Sequence, residues 1–284
     1  MGPLDPRRGV FGRADGVSAA SVPAPAPAVE LRGVGKTFRT GAEPLTVLEP
    51  LDLTLAPGSV TALVGPSGCG KSTLLRIVAG LEEADEGGVV GIGGDDPLTV
   101  RRRGELAIAF QDPSLLPWRT AASNVALASK LAGRPVDVTR VRELLGMVGL
   151  VGFEDARPAE LSGGMRQRAA IARCLITEPR LLLLDEPFGA VDELTRRRLN
   201  IELPPLWSGA TTTTLLVTHS VPEAVLLADR VLVMSPRPGS IVADLDVDIP
   251  RPRRMEHLHT RRFGALGDEI GLLLGVDQFI GGQD

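Results

Sequence analysis

The stretch Gly65-Pro66-Ser67-Gly68-Cys69-Gly70-Lys71-Ser72 fits the pattern G-x-x-x-x-G-K-[ST], with Thr73 next in line at the head of a helical pattern. Glycines let the backbone curl so that successive N–H groups point inward, which makes a concave anion site at the positive end of a helix. Lys71 adds a full charge toward the β and γ phosphates of a nucleotide. Ser72 offers its hydroxyl to Mg²⁺, a hard cation that keeps its waters and takes few protein ligands. The chemistry these residues suit is phosphoryl transfer from a nucleoside triphosphate.

Two further segments belong to the same chemistry. Leu181-Leu182-Leu183-Leu184-Asp185-Glu186 is an apolar strand ending in two acids, so the carboxylates emerge at the strand's carboxyl end, where open α/β sheets bind ligands. There Asp185 is placed to hold Mg²⁺ through water, and Glu186 to polarise the attacking water as general base. Leu161-Ser162-Gly163-Gly164-Met165-Arg166-Gln167-Arg168 supplies an N-cap serine, two glycines and a helix, a second anion-binding helix start. One nucleotide does not need two such sites on one chain. A head-to-tail dimer, in which Ser162, Gly163 and Gly164 reach the nucleotide of the other copy, satisfies both.

With these motifs in order, the chain from about Val29 to Pro250 resembles the ATP-binding cassette (ABC) family. The resemblance implies ATP and Mg²⁺ as ligands and a γ-phosphate contact in trans for Ser162, Gly163 and Gly164. It further implies that Phe38 stacks on adenine, that Gln111 reaches Mg²⁺ and the attacking water, that His219 binds the γ-phosphate, and that Asp192 communicates between the two sites. Two positions depart from the common pattern: Met165 stands where many members have Gln, and Ala190-Val191 where Ser and Leu are common. Neither removes a catalytic group. Cys69, inside the glycine loop, reads either as a thiol open to alkylation or as an inert small residue.

These groups need strands and helices to hold them. The chain reads as α/β, a P-loop NTPase of the ABC type with an antiparallel β subdomain and an inserted helical subdomain at about 118–165. Strand-like stretches fall at Val29–Leu31, Leu45–Leu55 and Val60–Val64. After the helix Ser72–Ala79, strands at Val89–Ile92 and Leu106–Phe110 complete what reads as a βαβ unit. Apolar residues three and four apart mark helices at Ala121–Leu131 and Val138–Val148. Then come a helix at Gly164–Leu175, a strand at Leu181–Leu184, a helix near Glu193–Leu203, and strands at Thr213–Thr218 and Arg230–Met234. Residues 1–28, rich in Pro, Ala and Gly, read as a disordered tail. Residues 251–284 read as a helical appendage packed on the core, with a solvated basic start at Arg251, Arg253 and Arg254.

Composition narrows the partners. The 284 residues carry 35 acids against 31 bases, a net charge of −4, so no global basic field recruits nucleic acid. Two cysteines make no disulfide framework. No apolar run approaches the roughly 18 residues of a spanning helix, and the first 28 residues lack a secretion signal's apolar region. A mechanical ATP cycle in such a chain must be delivered elsewhere. Asp112–Thr120, Asn124-Val125 and Val233–Ile241 resemble the ATPases of bacterial importers for nitrate, sulfonate, taurine and similar anions. That resemblance implies a membrane permease and a solute-binding protein as partners, and a peripheral position on the cytoplasmic face of the cell membrane. It also gives Trp118 a role in the permease socket, against a reading as helical-lobe core. Two other functions fit less of the sequence. A soluble family member acting in repair or translation usually has a coiled-coil insertion or two cassettes, and a non-hydrolysing scaffold has no use for Glu186, His219 and Gln111.

Overall fold

The computed structural model describes residues 25–40, 43–207 and 211–275. The elements follow as β1 (Val29–Thr40), β2 (Glu43–Leu55), β3 (Val60–Val64), α1 (Lys71–Val78), β4 (Val89–Ile92), α2 (Pro97–Arg102), β5 (Leu106–Ala109), α3 (Ala121–Leu131) and α4 (Val138–Met147). The second half adds α5 (Gly163–Leu175), β6 (Leu181–Asp185), α6 (Glu193–Glu202), β7 (Thr213–Val217), α7 (Val221–Leu227), β8 (Arg230–Met234), β9 (Ile241–Asp246) and α8 (Arg261–Leu273).

The apolar runs of β3, β6 and β7 carry no polar alternation because both faces of their sheet are covered, and every residue in them is buried. That sheet has six strands in the order β5-β6-β7-β3-β8-β9, parallel except for β9. Alternate residues serve opposite cores. Val60, Ala62, Leu182, Leu184 and Leu216 join α3 to α8 on one face. Leu63, Leu181, Leu183, Leu215 and Leu232 join α1 and the small sheet β2-β1-β4 on the other.

The structure corrects the sequence reading in four places. Val89–Ile92 belongs to no βαβ unit: β4 lies antiparallel to β1, pairing Val29 with Ile92, and its half-exposed residues are unlike those of a covered parallel strand. Two short elements, α2 and the edge strand β9, were not read from the sequence. Residues 25–27 are packed rather than part of a disordered tail, since the Pro25 carbonyl accepts from Arg180, the Pro27 carbonyl accepts from Thr213 Oγ1 at 2.6 Å, and Ala26 is buried. Residues 1–24 lie outside the described residues.

The fourth correction concerns the basic start of the last segment. Arg253 is buried, and its guanidinium donates to the carbonyls of Val247, Ile249, Val225, Leu226 and Ala228, the last three at the end of α7. Helix ends leave carbonyls without partners, and here a side chain from outside the helix supplies the donors. Beyond it, α8 buries Phe263, Leu266 and Ile270 in the main core, each contributing roughly 1.5–3 kcal/mol. Residues 276–284 lie outside the described residues.

Candidate functional site

Parallel strands point their carboxyl ends one way, and four of them deliver the site's residues to a single sheet edge. β3 runs into the glycine loop, β5 into Phe110-Gln111, β6 ends on Asp185 before Glu186, and β7 runs into Thr218-His219.

In the glycine loop, Gly68 and Gly70 adopt φ of 76° and 105°, left-handed conformations that glycine takes without strain. A Cβ on Gly70 would also press on Leu48 at 2.5 Å. Lys71, buried, donates from Nζ to the carbonyls of Gly65 at 2.8 Å and Pro66 at 2.9 Å, which holds the ammonium within the loop. Cys69 is fully buried against Gly65, so of its two readings the inert one stands. The loop leans on the turn after β8. Gly239 packs so tightly on the Cys69 carbonyl that no Cβ fits, and its own N–H and C=O bond Val47 and Glu49 of β2.

Ser72 and Asp185 meet beside the loop, with Ser72 Oγ donating to Asp185 Oδ1 at 2.8 Å. Burial raises the Asp185 carboxyl above its ordinary range, while the Ser72 hydrogen bond pulls it back. A hydroxyl and a carboxylate at one point, next to an anion cradle, are hard oxygen donors of the kind Mg²⁺ takes when phosphate and water complete its shell. The donor set therefore fits a magnesium–nucleotide complex.

Glu186 has φ of 48°, a left-handed conformation costing a non-glycine residue roughly 1–2 kcal/mol. Its N–H donates to the Val217 carbonyl at 2.9 Å and its own carbonyl accepts from Gly189, so the neighbouring strand holds the strained turn in place. The outcome is convergence: Gln111 Nε2 donates to Glu186 Oε2 at 3.3 Å, and His219 Nδ1 lies 3.3 Å from the same oxygen. Three residues from three strand ends thus meet on one carboxylate. Such a carboxylate can accept a proton from water while Gln111 and His219 orient it.

Ser162 caps α5, accepting from the Met165 N–H at 3.2 Å. Gly164 packs where a Cβ would lie 2.9 Å from the Ala190 carbonyl, tying this helix start to the loop before α6. Asp192 in turn caps α6 through the Thr195 N–H, and that hydrogen bonding keeps its carboxyl below the usual range. Among the described residues no hydrogen bond joins Ser162, Gly163 or Gly164 to the glycine loop. Phe38 sits half-buried on β1 opposite Leu45, with Lys36 Nζ 5.1 Å from its ring centre, and the paired β2 residues Val47 and Leu48 reach Gly70.

Trp118 is 69% exposed, so it is no part of the helical-lobe core. The loop that presents it is clamped by buried Asn124, which accepts from the Leu116 N–H and donates to the carbonyls of Leu116, Arg119 and Thr120. Buried Gln167 likewise donates to the Phe110 carbonyl at 3.0 Å, linking α5 to the residue before Gln111. The sequence motifs that contain Asn124, Gln167 and Gly239 do not by themselves disclose these tasks. The signal for Asn124 was a polar residue on the apolar face of α3, between Ala121 and Val125.

A glycine loop, a hydrogen-bonded serine–aspartate pair and a strained glutamate at one edge of a parallel sheet are the arrangement of a P-loop ATPase. The sequence profile described as ABC transporter matches residues 48–189. An aliphatic sulfonates import ATP-binding protein of Streptomyces avermitilis is 45% identical over 91% of this chain and 95% of its own length. One from Pseudomonas syringae pv. syringae is 50% identical over 73% and 82%. The dimeric, ADP- and phosphate-bound ATP-binding cassette MJ0796 superposes with a TM-score of 0.71, at 31% identity, over 78% of this chain and all of that one. The chain belongs to the ABC transporter family, as an ATP-hydrolysing subunit.

Proposed function

We propose that this protein energises import of an aliphatic sulfonate or a similar small anion through a partner permease, on the cytoplasmic face of the membrane. The reading rests on the identity, sustained over 91% of the chain, with the Streptomyces avermitilis sulfonate-import protein. No helix of the described residues is long and apolar enough to cross a membrane, so a separate permease has to carry the solute. A solute-binding protein selects that solute, and this chain touches neither.

Within the ATPase cycle, Lys71 and the loop amides bind the phosphates and Phe38 stacks on the base. Ser72, Asp185 and Gln111 would hold Mg²⁺, which when bound would neutralise charge on the phosphates. Glu186 takes a proton from the attacking water, and Gln111 and His219 keep water and carboxylate aligned. Ser162, Gly163 and Gly164 of a second copy close the site, so two ATP molecules lie between two chains. The convergence of Gln111 and His219 on Glu186 Oε2 supports these roles. Glu186→Gln is expected to bind ATP, stop hydrolysing it and run as a dimer on size exclusion. A monomer that hydrolyses ATP normally would remove Glu186 from the mechanism. For the solute, deleting the coding sequence is expected to abolish growth on an alkanesulfonate as sole sulfur source and leave growth on sulfate intact; unimpaired growth on both overturns the sulfonate assignment.

A further inference from the structure

His219 sits in the middle of a three-residue link between β7 and α7, too short to hold its own geometry. What braces the link is a hydrogen-bond bracket around the histidine. Thr218 Oγ1 donates to Glu223 Oε2 at 2.6 Å and accepts from the Ser220 N–H at 3.1 Å. Ser220 Oγ accepts from the Glu223 N–H at 3.3 Å, capping α7. The residues on either side of His219 are thus tied to each other and to Glu223, while the imidazole itself stays exposed and reaches Glu186.

We infer that Glu223 is a positioning residue for hydrolysis, setting through Thr218 the backbone that aims His219 at Glu186. The inference rests on the ATPase site described above and adds a residue that touches neither nucleotide nor metal. Glu223 is a costly choice for a purely structural peg. It is buried, it makes no salt bridge among the described residues although Arg196 lines the same cavity, and its second oxygen, Oε1, has no hydrogen-bond partner there. Asn200 Oδ1, on α6, is also unpartnered and lines the same cavity of about 440 Å³. A proton on Glu223 Oε1 gives this carboxyl a donor of its own, and Arg196 Nε, likewise unpartnered, lines the same cavity. A neutral carboxyl suits this site, and a glutamine side chain reproduces it: the carbonyl accepts from Thr218, and the amide supplies the donor.

The test uses ATPase kinetics and ATP affinity of the full chain. Glu223→Ala and Thr218→Val are each expected to lower kcat about tenfold, with Kd for ATP within about twofold, because the bracket acts on the hydrolytic groups and not on the phosphate loop. Glu223→Gln is expected to stay within about threefold of the parent. Adding His219→Ala to Thr218→Val is expected to cost no more than His219→Ala alone, since both remove one unit. Full additivity of that pair, or an unchanged kcat in Thr218→Val while His219→Ala is inactive, overturns the positioning role. A fully active His219→Ala overturns the site itself, which separates the two failures. Thr218→Val, close in shape to the parent, decides the matter if Glu223→Ala does not fold.

Discussion

Ser72 Oγ lies 2.8 Å from Asp185 Oδ1, which joins the first turn of α1 to the end of β6 across the strand between them. The hydrogen bond brings together, before any cation binds, the two oxygens that would face it. Asp185→Asn keeps the shape and removes the charge. Hydrolysis should fall by roughly 10²–10³-fold, and the Mg²⁺ concentration for half-maximal activity should rise. A magnesium titration of the variant's residual activity checks this, and an unaltered midpoint would assign Asp185 another task.

Gly239 is the point where the turn after β8 meets the phosphate loop. A methyl group there collides with the Cys69 carbonyl, which is backbone and cannot swing aside. Gly239→Ala should therefore weaken ATP binding at least tenfold while the fold, judged by circular dichroism, persists, a loss of about 1.4 kcal/mol or more. Fluorescent-nucleotide titration gives the measurement.

Asn124 clamps the loop that carries exposed Trp118. Asn124→Ala leaves the Leu116 amide and the carbonyls at 116, 119 and 120 without that partner, costing roughly 1–3 kcal/mol. The site at the sheet edge is untouched. We expect basal ATPase within about twofold and loss of the stimulation given by the assembled permease; equal stimulation in both proteins would dissociate this loop from coupling.

Burial pushes the Glu223 carboxyl up to about 7, while the Thr218 hydrogen bond and Arg196 oppose the rise and Glu186 and Glu193 add to it. A carboxyl whose folded pKa exceeds its unfolded value of 4.5 contributes stability below about pH 4.5, and that stability is lost as pH rises through 7. Glu223→Gln removes the loss, so the variant should gain on the parent by up to roughly 3 kcal/mol between pH 5 and 8. Melting temperatures measured across that range provide the check. A constant offset between the two proteins would mean that Glu223 does not titrate there.

The covered strands and long helices were legible because their patterns are local. Ala121–Leu131 was read to the residue, since capping Thr120 and the apolar spacing agree. Val89–Ile92 was recognised as a strand and given the wrong sheet, because four residues specify extension and leave the partner open. β9 alternates half-buried and exposed residues, a weak signal, and α2 is one and a half turns opened by Pro97. The motif residues at the carboxyl ends of β3, β5, β6 and β7 were legible, their bracing was not. Glu223 and Arg253 look like surface residues in a sequence, and only the packing of distant segments around them makes them interior.

Arg253 carries a lesson for cutting and joining this chain. A boundary drawn after Pro250, where the family resemblance stops, would remove the one group that quenches five inward-facing carbonyls and would strip the cover of Phe263, Leu266 and Ile270 from the sheet's helical face. The helix left bare would be α7, whose first residue follows His219 and Ser220. A shortened protein would therefore fail at its catalytic edge, though the excision lay in a part with no motif, and a reporter or affinity handle belongs after residue 275.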